Sequence, residues 1–117
     1  MIIKWDSEVR EISLKEEGIK DVTRQILIGP EDGSLNIIMR RFRVLPGGNT
    51  PFHCHGFEHV IKITRGRGVI VNESGQEMAV SEGQSAFIEA HEKHQFKNPN
   101  DRPFEFLCVI LNPERSR

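Results

Sequence analysis

The sequence predicts an all-β domain, and three observations carry that prediction. Apolar residues recur with a period of two, rather than the helical period of about 3.6, through most of the chain. β-Branched residues gather inside those runs, as in Val60, Ile61, Ile63 and Thr64. Gly, Pro, Asn and Asp stand between the runs, in "IGPEDGS", "LPGGNTP" and "KNPNDRP", where tight backbone geometry suits them. Short, evenly spaced strands of this kind close into a sandwich or a barrel.

The candidate strands are Asp21 to Ile28, Leu35 to Leu45, Phe57 to Ile63, Gly68 to Asn72, Gln76 to Val80, Gln84 to Glu89 and Phe104 to Leu111. "NESG" at Asn72 to Gly75 joins two of them as a hairpin. Ser13 to Gly18 is the one stretch that suggests a helical turn. Met1 to Ile3 and Trp5 are expected to pack, or to add an edge strand across a dimer.

At 117 residues the chain fits a single domain, residues 1–117, with no repeat, linker or low-complexity tract. A domain of that size buries roughly 60% or more of the surface its unfolded chain exposes. Sixteen Lys and Arg against 17 Asp and Glu leave a net charge of −1, so no broad surface for nucleic acid or an anionic membrane is expected. The start, "MIIKWDSEVREIS", reads as neither a secretory signal nor a membrane span, and the expected compartment is the cytoplasm. Two cysteines, Cys54 and Cys108, are too few for a disulfide framework.

Chemistry concentrates in "TPFHCHGFEHVIKITRGRG", residues 50–68, which holds three of the five histidines. His55 and His59 are four apart, a spacing that on a helix would present both to one metal. Pro51, Gly56 and the β-branched residues that follow oppose a helix. On a strand, His53, His55, Phe57 and His59 share one face, and that parity continues inward as Ile61 and Ile63. Imidazole nitrogens on a buried face need partners, and a metal satisfies all three rings at once. Cys54 and Glu58 point to the opposite face by the same alternation.

"GGNTPFHCHGFEHVIKITRG" resembles the first motif of the cupin family, a glycine, five residues, HxH, three or four residues, a glutamate, six residues and a glycine. Gly47, His53, His55 and Gly66 match in register, and His59 occupies the usual glutamate position. "GQSAFIEAHEKHQFKN", residues 83–98, resembles the second motif: Gly83, His94 and Asn98 fit, while Glu89 and His91 replace the proline and second glycine. The short spacing from Gly66 to Gly83 resembles that of small single-domain microbial cupins of type 2.

The resemblance implies an antiparallel jelly-roll barrel, the double-stranded β-helix, and often a homodimer. It also implies a metal held by His53, His55, His59 and His94. All-histidine ligation favours manganese by likeness to small prokaryotic cupins and also suits iron, zinc, nickel or copper. In Leu35 to Leu45, Arg40 shares a parity with Ile38, Phe42 and Val44. A guanidinium so placed either binds an anionic substrate group near the metal, or lies at the barrel mouth or beside a structural glutamate. Phe104, Phe106, Cys108 and Ile110 share the parity that the resemblance assigns to the pocket. Cys108 is either an oxidisable thiol beside the metal or a small apolar core residue. His91 falls on the other face or in a loop, solvent-exposed.

The function these features suggest is a metal-dependent, oxygenase-like enzyme acting on a small anionic or chelating molecule. No side chain beyond the metal centre is placed as a general base. The alternative is a non-catalytic small-ligand-binding or sensor cupin.

Overall fold

The structure is a computed structural model that describes residues 1–115. Nine strands form: β1 (Ile12–Ser13), β2 (Lys20–Ile28), β3 (Ile37–Asn49), β4 (His59–Arg65), β5 (Arg67–Val71), β6 (Glu77–Ser81), β7 (Ser85–Ile88), β8 (Gln95–Lys97) and β9 (Phe104–Leu111). All pairings among the described residues are antiparallel. The sheet runs β6-β5-β8-β3-β9-β4-β7, with β2 and then β1 added beside β3. Residues 37–44 of β3 pair with β9, and its far end pairs with β8 through Asn49 and Lys97. This one long strand therefore links both halves of the sheet, which curls into the jelly roll.

The core explains why the strands alternate as they do. Val22 of β2, Val44 of β3, Ile61 and Ile63 of β4, and Phe104 and Phe106 of β9 are fully buried. The Phe106 ring stacks on Phe96 at 4.2 Å and on Phe42 at 5.4 Å, so the aromatic layer leads from the core to the cavity. Gly66, at φ 72°, makes the turn from β4 to β5, and a Cβ there would collide with the Pro103 carbonyl oxygen.

Several expectations need correction. Ser13 to Gly18 forms no helical turn: Ile12–Ser13 pairs with β2, and Gly18, at φ 84°, turns the chain into it. Within the single chain Met1 to Ile3 and Trp5 make no strand and are exposed, which corrects the expected packing and leaves the expected dimer edge to a partner chain. The segment is tied down by polar contacts instead, Lys4 to Asp32 at 2.7 Å and Gln25 Nε2 to the Asp6 and Val9 carbonyls. The strand expected from Phe57 begins at His59, and β8 was not among the expected strands.

Candidate metal centre

Two chain segments meet to build the site. After β3, Thr50 binds Phe96 through both its backbone N–H and its hydroxyl, at 2.9 Å each. Three residues beyond Thr50, His53 exchanges backbone hydrogen bonds of 3.1 and 2.9 Å with His94. That bridge holds an imidazole from each of the two sequence motifs side by side. The His91 N–H donates to the His55 carbonyl at 2.6 Å, fixing the loop that carries the second histidine. His59 opens β4 opposite Ile88.

Residues 53–58 are therefore mostly loop rather than strand, since Pro51 and Gly56 interrupt the ladder. Burial nevertheless alternates as on a strand: His53, His55, Phe57 and His59 turn inward, while Phe52, Cys54, Gly56, Glu58 and Val60 are exposed.

The ligating atoms of His53, His55 and His94 lie within 4.8 Å of one another. Metal–nitrogen bonds of about 2.0–2.1 Å span a cluster of that size after small ring rotations. His59 lies beside this trio rather than within it, its centroid 5.0 Å from that of His94 and 5.2 Å from that of His55. Its Nδ1 is buried and has no hydrogen-bond partner among the described residues. His94 Nδ1 donates to the Glu92 carbonyl at 2.9 Å, which fixes the tautomer and leaves Nε2 as the free lone pair.

Burial keeps His53, His55 and His59 neutral. Burial lowers His59 to about 3, helped by the neighbouring His94, His55 and Arg40. Burial likewise lowers His55 to about 4, with His53, His94 and Arg40 adding to it. His53 is lowered by burial and His94, against the pull of Glu16. Neutral imidazoles converging in a poorly solvated place are the donor set a divalent transition metal takes.

The cluster forms one wall of a cavity of about 230 Å³. Of the side chains expected there, Arg40, Phe42, Phe106 and Cys108 line it. Phe104 and Ile110 do not: both are buried in the core, Phe104 against Gly68 and Ile110 paired with Ile38. Arg40 has no carboxylate partner within 4.0 Å among the described residues. Its Nη2 donates to Cys108 Sγ at 3.0 Å and its guanidinium lies 5.0 Å above the Phe42 ring. Cys108 is 2% exposed, and burial pushes its thiol up against the opposing effect of Arg40. Arg24 and Glu16 also line the cavity. Arg24 was legible by the parity that picks out Arg40, because Val22, Arg24 and Ile26 share one face of β2.

A jelly-roll barrel with a histidine cluster at one wall of its interior cavity defines a metal-binding class of β-barrel. The Cupin domain family model matches residues 40–110, and the chain belongs to the cupin family. It is 34% identical over 110 residues to 1-methylthio-D-xylulose 5-phosphate methylsulfurylase of Rhodospirillum rubrum, covering 91% of this chain and 67% of that protein. Among solved structures it is similar to a polyketide cyclase from Streptomyces resistomycificus, at 30% identity and a TM-score of 0.90, covering 95% of this chain and 79% of that one. It also resembles a predicted oxalate decarboxylase from Thermotoga maritima, at 26% identity and a TM-score of 0.79, covering 94% and 98%.

Proposed function

We propose that this cupin is a metal-dependent enzyme acting on a small anionic or chelating molecule, with His53, His55, His59 and His94 holding one divalent metal. The observation that carries the reading is the convergence of imidazoles from two motifs beside an arginine with no acidic partner. Bound there, the metal supplies a Lewis acid and a template for a chelating ligand. Manganese is the ion we favour; iron, zinc, nickel or copper also suit imidazole ligation.

The chain's own residues do the rest. The orphaned Nδ1 of His59 gains a partner if that ring turns onto the metal. His94 is held in its ligating tautomer by Glu92. Arg40, anchored on Cys108 and Phe42, offers its remaining N–H groups to an anionic group of the substrate. Phe42 and Phe106 exclude water and strengthen both interactions. The methylsulfurylase and cyclase similarities support catalysis, and neither name is that of an oxygenase. Lewis-acid chemistry therefore ranks ahead of dioxygen activation in this reading.

The alternative is binding without turnover, which is favoured by the shortage of bases: among the described residues Glu16 is the one carboxylate lining the cavity. Turnover of candidate oxoacids, diketones, thiols and catechols, followed by NMR and an oxygen electrode, separates the two. Metal-dependent turnover that falls roughly 10- to 100-fold in kcat/KM in Arg40→Gln is the expected result. Ligand binding with no turnover of any candidate selects the binding module, and turnover unaffected by Arg40→Gln removes the arginine from the mechanism.

A further inference from the structure

We infer that Arg24 and Arg40 together form a dianion clamp, and that the molecule this cavity takes carries a phosphate monoester. The inference rests on the reading that the cavity holds a small anion and deepens it by naming that anion. Arg24 lies opposite Phe42 on the paired strands β2 and β3, and Arg40 lies opposite Ile26. The two arginines are thus diagonal neighbours on one face, about 7–8 Å apart at such positions. Both line the same cavity. The Arg40 guanidinium overlies the ring of Phe42, the residue that faces Arg24 across the two strands.

Neither cation is neutralised by the protein. The Nε of each is buried and has no hydrogen-bond partner among the described residues. Neither forms an ion pair within 4.0 Å among the described residues, and Glu16, the acid lining the cavity, reaches neither. Arg41, Arg43 and Arg65 show what arginines elsewhere in this barrel do: all three converge on Glu105, at 4.0, 3.1 and 2.9 Å. On the cavity side the same strand, β3, presents an arginine with no acid to meet it.

The number of charges selects the ligand. One guanidinium is matched by one carboxylate in a bidentate pair. Two unpaired guanidiniums in a cavity walled by Phe42 and Phe106 match a group that carries close to two negative charges and several acceptor oxygens. A phosphate monoester near neutral pH carries about −1.5 to −2 with three terminal oxygens. Arg24 is then a specificity-determining residue, which holds the phosphate while the rest of the molecule reaches the histidines.

Titration calorimetry on the purified protein with glycerol 3-phosphate, inorganic phosphate and oxalate tests this. The expected result is one-site binding of both phosphates, weakened at least tenfold in Arg24→Gln and in Arg40→Gln and unchanged in Arg102→Gln, an exposed arginine before β9. Oxalate, a chelator short enough to need no second anchor, keeps its affinity in Arg24→Gln. Thermal melts verify folding; should Arg24→Gln fail to fold, Arg24→Lys, which keeps the charge but loses the fork, is expected to weaken phosphate binding several-fold. No phosphate binding, or equal phosphate affinity in wild type and the Arg24 variant, overturns the clamp. Metal content measured on the same samples tests the metal reading independently, since a metal-free protein that still binds phosphate through Arg24 would sink that reading and keep this one.

Discussion

His91 occupies the place where the second cupin motif carries glycine, and its φ of 68° gives the physical reason for that glycine. A left-handed conformation costs a residue with a Cβ about 1–2 kcal/mol. The turn must nevertheless be made, because the His91 N–H holds the His55 carbonyl at 2.6 Å. The protein thus keeps the turn with a strained residue. His91→Gly is expected to stabilise the fold by about 0.5–1 kcal/mol after the extra chain entropy of glycine is subtracted, read as a higher denaturation midpoint. A lower midpoint would mean that the exposed imidazole has a structural partner.

The same scale shows what the sequence makes legible. Alternation alone places His53, His55, Phe57 and His59 inward and Cys54 and Glu58 outward, and burial follows that pattern even where the ladder is broken. It works because parity is a local property of an extended chain. His94 is invisible to such reasoning from the first motif, since a bridge 41 residues away in sequence brings it to His53. The likeness of residues 83–98 to a known motif was needed to place it. Parity also over-reaches on β9: Phe104 and Ile110 point inward with Phe106 and Cys108, but the cavity is shorter than the strand, so its ends meet the core.

At the scale of elements, β8 has three residues and was not foreseen, because so short a run gives no period to read. Tertiary bonds define it, on Thr50 at one end and Asn98 at the other. Asn98 is 1% exposed; its Nδ2 donates to the Val44 and Arg102 carbonyls at 2.8 Å each, and its Oδ1 accepts from the Asn100 N–H at 3.0 Å. These bonds fix the strand that delivers His94. Asn98→Ala is therefore expected to cost about 1–3 kcal/mol and to weaken metal affinity as the His94 position loosens. Stability loss with unchanged metal affinity would show that the His53–His94 bridge alone positions the ring.

Across the whole molecule, the buried histidines link stability to pH. His55 and His59 are lowered to about 4 and about 3, whereas in the unfolded chain each binds a proton near 6.5. Below about pH 6.5 the unfolded state thus holds more protons than the folded one, and stability falls as pH drops toward 4. Above 6.5 neither state is protonated there and the contribution is flat. Metal binding has the same direction, because protons compete for the same lone pairs. Denaturant midpoints of metal-free protein between pH 7.5 and 5 are expected to decline, and the slope to shrink in a His55→Gln, His59→Gln double variant. An unchanged slope would place the acid sensitivity elsewhere.

Among the described residues no helix is long and apolar enough to cross a membrane, and the strands are devoted to one curled sheet and its cavity. What the molecule does therefore turns on whether its histidine cluster takes a metal. Elemental analysis of the purified protein beside His53→Ala, His55→Ala and His94→Ala tests this most directly. The account predicts close to one divalent transition-metal ion per chain in the wild type and much less in each variant. It also predicts a stabilisation of about 2.7 kcal/mol when free metal is 100-fold above Kd. A wild-type chain that holds no ion and melts at the same temperature with and without added manganese, iron, zinc, nickel or copper would contradict it.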